Sequence, residues 1–493
     1  MTPYTPLALA WIVLAILLPG HMLLGTLGPA SDRRLAPNED RIAWLSWCAA
    51  TGAVLNCLLL FGWLWAFPGT LSPLGLGCVQ VLFALALWRL RARANPTPAP
   101  DAAAVVSRFA MASALERGVF WGALVLALAL VVTRILGANM EAALTGDGAL
   151  LWTFKARVIH ASGGLGDTYV EAMRDPRLRH EDYPLFNPLL QAWMFQLKGA
   201  SAFVAQRFPI QLLGLALILG LAAALRRIAR PAIAALLLII FVASPATKHA
   251  VSFAAGDAMV ALGALLATDA WLRWRQDGRA ALLGVMAISI ALMIGSKAES
   301  SLFLLGLAAG LLLVALVGRF RAPSNSGPKT PRRQLLIFLL PLVTLIAGAA
   351  FNIQAGFQND LAAGKAASAG FATRFANQWQ DYFSTVWSYF WSEAWLMPYY
   401  DGLVFACLTV ATALSVRTLF GGCLEARDLL LPISITAIFW CGLFLVYLAT
   451  PQPLVWHLES SALRVLWQAL PIATIALAGL LDNAQRTGDR TTS

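Results

Sequence analysis

The sequence predicts an all-α polytopic membrane protein, and two observations support this fold class. The hydrophobic fraction is 59% and the charged fraction is 12%, which is about half the charged fraction of a typical soluble domain. Long apolar runs also recur along the whole of the 493-residue chain, and runs of this length are typical of transmembrane helices.

The apolar runs predict about thirteen membrane spans. The first run lacks a basic leading segment and a cleavage site, so we interpret it as a span and not as a removable signal peptide. Polar residues around Lys297 divide the run 280–317 into two spans with a tight turn. No internal repeat and no pair of broken helices is evident. The predicted spans are 6–27, 43–66, 72–90, 118–137, 207–225, 231–245, 255–272, 280–296, 300–317, 334–350, 399–418, 429–449 and 463–481.

Basic residues predict the topology. The net charge is +11, and the Lys and Arg residues concentrate in short loops that the positive-inside rule assigns to the cytoplasm. The positive charge of these loops is explained by their roles as topology determinants and lipid anchors, so nucleic-acid binding is not needed to explain it. The segments on the non-cytoplasmic side are then 138–206, 246–256, 351–398 and 450–462, and the turn at Lys297 lies on the same side.

The same pattern divides the chain into three parts. Residues 1–117 form a three-span unit that ends in a Pro/Ala-rich cytoplasmic linker, residues 118–481 form the main membrane unit, and 482–493 form a cytoplasmic tail. The six cysteines lie mostly in or beside apolar runs with no CxxC spacing, so they are interpreted as small hydrophobic residues and not as a disulfide framework or metal cluster.

The first candidate residue is Asp147, which lies between two glycines just after a span. The following residues, ALLWTFKARVI, have helical periodicity and are expected to lie along the membrane interface, with Trp152 as an anchor and Lys155 on the same helix. A carboxylate at the membrane surface can act as a general base towards a hydroxyl acceptor. The alternative is that Asp147 caps a helix.

A second candidate group is the HEDYP turn, which contains His180, Asp182 and Tyr183. The prolines at 184 and 188 bracket a turn and could fix this polar cluster against the membrane. It is not a zinc-protease motif, because HExxH would require histidine where Pro184 stands. The alternative is a solvated turn that leads into an amphipathic helix.

Further candidates lie at later positions on the same predicted side. Asp257 opens a span, where a helix dipole alone would favour an acid. Lys297 and Glu299 interrupt an apolar run, which is costly and indicates a functional site or a mutual ion pair. His457 and Arg464 lie at the mouth of the last span, where Arg464 could instead be a snorkelling anchor. Together, the two cations suit a lipid phosphate and a nearby carboxylate suits acceptor activation.

These segments resemble those of GT-C-fold glycosyltransferases, in particular the bacterial relatives of protein O-mannosyltransferase and of lipid A aminoarabinose transferase. The similar segments are TGDGALLWTFKARVI, HEDYPLFNPLLQAWMFQLKG, GDAMVALGALLATDAWLRW, SKAES and WHLESSALRVLWQALP, and they span about residues 118–480. Two features differ from the family: Gly148 follows Asp147 where many members have a second acid, and three spans precede the first outer loop.

The resemblance implies a GT-C-like bundle with a periplasmic first-loop subdomain of amphipathic helices, in the bacterial inner membrane. It implies transfer of a sugar from a polyprenyl-phosphate donor to a glycolipid, glycan or protein acceptor, with Asp147 as the catalytic acid position and the other candidates as substrate-binding residues. Asp182 and Tyr183 match the turn near the sugar, and Lys297 and Arg464 match a role in holding the lipid phosphate. A divalent cation, Mg²⁺ or Mn²⁺, is compatible with this chemistry, but the sequence offers no defined ligand set.

Three other functions stay open at this stage. A lipid-linked oligosaccharide flippase or other transporter would carry polar residues through its span centres, and here these centres are nearly free of charge. An O-antigen ligase or polymerase would centre on a long late loop, which the aromatic-rich segment 351–398 could supply, although such aromatics are more often an interfacial belt. A non-catalytic scaffold would leave the shared side of the polar groups unexplained.

Overall fold

The structure is a computed structural model of the chain and describes residues 6–27, 41–69, 73–93, 109, 112–140, 148–175, 180–198, 205–318, 336–358, 370–391 and 428–491. Regular secondary structure in these ranges is entirely helical, which confirms the predicted all-α class. The helices are α1 (Pro6–Leu27), α2 (Arg41–Ala66), α3 (Pro73–Arg93), α4 (Ala114–Met140), α5 (Phe154–Ser162), α6 (Asp167–Met173), α7 (Phe186–Lys198), α8 (Phe208–Ile228), α9 (Pro231–Ala243), α10 (Pro245–Ser252), α11 (Asp257–Asp277), α12 (Ala280–Ser296), α13 (Ser300–Gly318), α14 (Leu340–Ala355), α15 (Phe371–Trp391), α16 (Leu430–Leu448), α17 (Leu454–Trp467) and α18 (Leu470–Thr491).

Several of these helices are long and apolar enough to cross a membrane. Five described helices meet this criterion, and up to seven spans result if each of two bent helix pairs counts as one. Shorter apolar helices lie at four other predicted positions, in α1, α3, α12 and α13. The chain is therefore a polytopic α-helical membrane protein. The count of thirteen spans stays a prediction, and the predicted span 399–418 lies outside the described residues.

The centre of the bundle is formed by α2, α8, α11 and α12, which pack against one another. Every residue from 257 to 273 in α11 is buried, so this helix has no face towards lipid. Its contact with α12 depends on Gly263, where a Cβ atom would lie 2.7 Å from the carbonyl oxygen of Ser289. By contrast, α4, α13 and α14 carry exposed leucines such as Leu126, Leu312 and Leu345, as expected for lipid-facing helices.

Two spans are broken, which the sequence did not predict. Helices α9 and α10 meet at 69°, and α17 and α18 meet at 45°. Pro245 and Pro471 lie at these breaks, where proline removes a backbone donor and ends the preceding helix. The segments 246–256 and 450–462, which were predicted as outer loops, are mostly helical because α10 and α17 lie within them; that they face the outer side stays a prediction.

The two broken spans contact each other. The indole Nε1 of Trp467 donates a 2.9 Å hydrogen bond to Thr247 Oγ1, and the Trp467 ring stacks on Phe241 at a centroid distance of 6.0 Å. The kinks of both spans therefore lie side by side in the bundle.

The predicted outer segments gather at one end of the bundle, which we call the polar end. The side-chain amide of Asn352 donates to the carbonyl oxygen of Asp182 at 2.9 Å, and Arg174 Nη2 donates to the carbonyl oxygen of Ala355 at 3.1 Å. Arg374 in α15 donates to the carbonyl oxygen of Ala449 at 3.0 Å. These bonds join the segments 138–206 and 351–398 to each other, and 351–398 to the end of α16.

The opposite end, which we call the basic end, holds the other ion pairs of α11. Asp269 accepts from Arg273 at 2.7 Å and from Arg227 at 3.1 Å, and the Arg273 guanidinium lies 5.3 Å from the centroid of the Trp47 ring. Because Asp257 and Asp269 are twelve residues apart in one helix, about 18 Å of buried helix separates the two ends.

The first outer segment is helical but is not arranged as expected. A π-helical turn, Gly148–Thr153, leads into α5, and α6 and α7 follow. Trp152 was expected to anchor at the membrane interface. This was wrong: its side chain is 1% exposed and packs inside the protein against Ala255 and Tyr183. Whether α5–α7 form a separate subdomain stays a prediction.

The closest helix crossing yields a test of this packing. At Gly52 in α2, a Cβ atom would lie 1.6 Å from the carbonyl oxygen of Ile16 in α1, whereas nothing lies within 4 Å of a Cβ atom at Gly62 in the same helix. We expect Gly52→Ala to lower the free energy of unfolding by about 1–3 kcal/mol because α1 must move away. We expect Gly62→Ala to be neutral or stabilising by up to about 1 kcal/mol through helix propensity.

Denaturant titration in detergent micelles measures both variants. Equal stability of the two would contradict the described α1–α2 crossing.

Candidate functional site

Asp257 is placed by the short connection between α10 and α11. The chain leaves α10 after Ser252 and enters α11 at Asp257, whose carboxylate lies in the first helical turn, where the helix dipole favours a negative charge. Gly256 immediately precedes it, and a Cβ atom there would lie 3.1 Å from Cγ of Lys297. A glycine at this position therefore lets the Lys297 side chain run past the backbone to reach Asp257.

The carboxylate of Asp257 is the centre of a buried group of charges. Lys297 Nζ lies 2.9 Å from Asp257 Oδ1 and 3.1 Å from Glu299 Oε1. Arg464 Nε lies 3.4 Å from Asp257 Oδ2. The Asp257 side chain is fully buried, and the Glu299 and Arg464 side chains are each 17% exposed. We call Asp257, Lys297, Glu299 and Arg464 the ion cluster.

The ion cluster joins three parts of the chain that are distant in sequence. Asp257 begins α11, Lys297 and Glu299 form the turn between α12 and α13, and Arg464 belongs to α17. Gln468, at the break after α17, adds a hydrogen bond from its Nε2 to Asp257 Oδ1. With two cations and two carboxylates the cluster is neutral overall, which makes its burial tolerable.

Three acceptor oxygens of this group accept no hydrogen bond from the described residues. They are Asp257 Oδ2, Glu299 Oε2 and Gln468 Oε1, and all three are buried; Asp257 Oδ2 has the ion pair with Arg464 but no hydrogen bond. An unmatched buried acceptor is costly. The arrangement therefore suits a ligand that supplies hydrogen-bond donors, such as the hydroxyl groups of a sugar.

His457 lies beside the ion cluster and not in it. Its Nδ1 is 2.6 Å from Thr450 Oγ1, and its ring is 4.8 Å from that of Tyr447. The hydroxyl group of Tyr447 is 2.7 Å from Ser461 Oγ, and Tyr447 lies within electrostatic range of Glu299 and Arg464. Tyr447 thus connects His457 to the cluster.

The HEDYP turn is held by Lys155. The ammonium group donates to the carbonyl oxygens of His180 at 2.7 Å, Glu181 at 3.1 Å and Tyr183 at 3.4 Å, and Lys155 is 1% exposed. These bonds stabilise a turn in which His180 takes a positive φ of 61°, a conformation that costs energy for a residue other than glycine. The visible role of Lys155 is to shape this turn, and a direct contact with substrate stays a prediction.

The first outer segment is itself braced between α5 and α7. Gln196 Nε2 donates to His160 Nδ1 at 2.8 Å, and Thr153 Oγ1 donates to Gln191 Oε1 at 2.8 Å. Burial lowers the pKa of His160, which favours the neutral imidazole that can accept this hydrogen bond.

The turn at His180–Tyr183 lies next to the connection that carries Asp257. Tyr183 and Trp152 pack around Ala255, and Asn187 Nδ2 and Gln191 Nε2 both donate to the carbonyl oxygen of Ala254, at 2.8 and 3.3 Å. The structure therefore brings together the first-loop candidates and the ion cluster. Asp147 lies outside the described residues, and the nearest described position is Gly148 at the start of the π-helical turn.

Three polar residues at this end were not among the sequence candidates. Gln468 and Tyr447 each lie in or beside an apolar run, where a single polar side chain gives only a weak signal. Arg134 had a stronger signal, because it is a charge within the predicted span 118–137, and such residues are rarely without a role.

Metal ligands and known relatives do not narrow the choice of function. Within the described ranges, no group of three His, Cys, Asp or Glu side chains could hold a metal ion. Comparisons of the chain with protein-family models, curated proteins and solved structures gave no match.

The ion cluster predicts that removing one of its charges destabilises the protein far more than removing a charge at the basic end. We expect Lys297→Met to lower the free energy of unfolding by about 3–5 kcal/mol, because it leaves two buried carboxylates opposite one cation. Adding Asp257→Asn to this variant should restore part of the loss, since Arg464 and Glu299 then balance.

The control is Arg275→Gln at the basic end, where Arg275 and Asp428 form a partly exposed pair at 3.5 Å. Removing it should cost at most about 1 kcal/mol. Denaturant titration in detergent compares the variants, and a Lys297→Met protein as stable as Arg275→Gln would refute the buried cluster.

Proposed function

We propose that this protein is a membrane glycosyltransferase of the GT-C type. It takes a sugar from a polyprenyl-phosphate donor and passes it to a glycolipid, glycan or protein acceptor. The polar end faces the periplasm, and the basic end lies at the cytoplasmic side of a bacterial inner membrane, in agreement with the positive-inside rule.

The observation that carries the proposal is the meeting of the sequence candidates at one place. Asp257, Lys297, Glu299 and Arg464 form one buried ion cluster. The HEDYP turn packs beside Ala255, two residues before Asp257. A protein that only needed anchors or a solvated loop would have no reason to bury these groups together, because burial of charge is costly.

The charges of the cluster assign different roles to its two cations. The Lys297 ammonium lies between two carboxylates, so its charge is already balanced and its main role is to orient Asp257 and Glu299. Arg464 is partly exposed and only 3.4 Å from one carboxylate oxygen. It is the better placed of the two to turn towards a lipid phosphate, which a guanidinium binds well.

The unmatched acceptor oxygens of Asp257, Glu299 and Gln468 then suit the hydroxyl groups of the donor sugar. Asp147, at the start of the first outer segment, removes the proton from the acceptor hydroxyl group. The acceptor oxygen attacks the anomeric carbon opposite the phosphate, and the electron pair of the broken C–O bond leaves with the phosphate. Arg464 stabilises this leaving charge, and the anomeric configuration inverts.

Replacement of Asp147 tests the base role. We expect Asp147→Asn to lower the rate of sugar transfer about 10²- to 10⁴-fold, because the amide cannot take the acceptor proton. Binding of the donor lipid should be unchanged. The measurement is transfer of labelled sugar from polyprenyl-phosphate donors in reconstituted vesicles.

The matched control is Asp167→Asn, an exposed acid in the first turn of α6 in the same segment, which should transfer at the wild-type rate. Wild-type transfer by Asp147→Asn would remove Asp147 from the mechanism.

One observation favours a transporter as the second candidate. Substrate sites of many transporters are formed where broken helices meet, and here the kinks of α9–α10 and α17–α18 lie side by side next to Asp257. In such a protein the ion cluster would change partners as the site opens to the other face.

Vesicles without an acceptor distinguish the two functions. For a glycosyltransferase, we expect a fluorescent polyprenyl-phosphate sugar to cross the membrane no faster than in protein-free vesicles, and sugar transfer to begin when an acceptor is added. Accelerated crossing without any transfer would favour the transporter.

A further inference from the structure

Arg134 is a cation within a membrane span. It lies in α4, six residues before the helix ends at Met140, which places its Cα about 9 Å from that end along the helix axis. Its neighbours along the same face, Val131, Ile135 and Ala138, are buried, so Arg134 projects from the side of α4 that packs on the bundle. The side chain is half-buried.

Among the residues that the structure describes, no acidic side chain pairs with this charge. Within the described part of the chain, Arg134 makes no hydrogen bond or ion pair, and its Nε is buried. A guanidinium at this depth is costly unless an anion or water accompanies it. The contrast with the ion cluster is clear, because there each cation lies beside a carboxylate.

The neighbouring helix α10 adds one cation, Lys248, and one hydrogen-bond donor, the ring of His249. Helix α10 packs across α4, and its exposed His249 lies within electrostatic range of Arg134, Arg464 and Asp257. The His249 ring stacks on Phe253 at 4.1 Å, which fixes its position. Lys248 precedes it and is half-buried. Asp257 is the acid that faces His249, and its charge is already balanced by Lys297 and Arg464.

The surface beside Arg134 is apolar. Leu130 is 36% exposed and Leu126 is 50% exposed, and they lie one and two turns before Arg134 on its own flank of α4. A ligand that meets both features has an anionic head and a hydrocarbon tail. A free phosphate would gain nothing from the apolar flank, whereas an acyl or isoprenyl chain would cover it.

We propose that Arg134, Lys248 and His249 form a binding site for the phosphate of an anionic lipid, between α4 and the broken helix α10. The phosphate receives charge-assisted hydrogen bonds from Arg134 and His249, and Lys248 contributes charge at the rim. The lipid tail runs along Leu130 and Leu126, towards the middle of the span. This site does not depend on sugar transfer, and it is separate from the ion cluster around Asp257.

Lipid titration of the purified full chain in a non-ionic detergent tests the site. The probes are phosphatidylglycerol, a polyisoprenyl phosphate, zwitterionic phosphatidylcholine and inorganic phosphate, with thermal stability and native mass spectrometry as readouts. We expect one or both anionic lipids to bind and stabilise the wild-type protein. The Arg134→Gln variant should bind them about tenfold or more weakly, as loss of a charge-assisted hydrogen bond predicts. Arg89→Gln, at an exposed arginine of α3, is the control and should bind as the wild type does.

The outcomes separate the sources of the phosphate. Binding of phosphatidylglycerol alone supports a membrane-lipid site, and binding of polyisoprenyl phosphate alone supports a place for a lipid-linked substrate. Equal binding of phosphatidylcholine, equal binding of inorganic phosphate, or unchanged binding by Arg134→Gln would overturn the proposal.

A second variant covers the case in which Arg134→Gln does not fold. The double variant Lys248→Gln/His249→Gln changes two side chains outside the bundle core and should also weaken anionic-lipid binding. Wild-type binding by this variant would equally overturn the proposal.

Discussion

The pairing of Asp257 with Lys297 is the interaction on which the polar end depends. Asp257 begins the most buried helix of the bundle, and its carboxylate is fully buried. A carboxylate in this environment is stable only with a cation and hydrogen-bond donors around it, so the turn between α12 and α13 must lie against the start of α11. Arg464 and Gln468 extend the same requirement to α17 and to the break that follows it.

This constraint explains the shape of the last span. A straight helix from Leu454 onwards would carry Gln468 away from Asp257 or force the outer half of the helix out of the bundle. The break at Pro471 lets α17 bend by 45° relative to α18, so that Gln468 reaches Asp257 while Trp467 reaches Thr247. The kink and the buried charge therefore support each other. Asp269, with Arg227 and Arg273, holds the other end of α11 in the same manner, which leaves the middle of the helix free for apolar packing.

The sequence predicted the helices better than the connections between them. Hydropathy and hydrophobic periodicity identify helices such as α8 and α12, because each of them buries a continuous apolar run. The helices within the segments 246–256 and 450–462 were not predicted, since polar residues near a proline have the composition of a loop even when they continue a broken helix. Trp152 was misplaced for a related reason: an amphipathic pattern does not distinguish a helix on lipid from one packed on protein.

The sequence identified most residues of the candidate site, but it did not show which of them form ion pairs with each other. Lys297 and Glu299 were evident because charges that interrupt an apolar run are costly. That Lys297 pairs with Asp257, forty residues earlier, follows from tertiary packing and has no local signal. The balance of charge then decides which ligands each place can hold. The neutral ion cluster, with its unmatched acceptor oxygens, favours hydroxyl donors and disfavours an anion at its centre. Within the described residues Arg134 has no ion pair, so the phosphate of an anionic lipid gains more beside it than at the centre of the neutral cluster. At the edge of the cluster only Arg464, which is 17% exposed, is placed to meet the phosphate of a lipid-linked sugar.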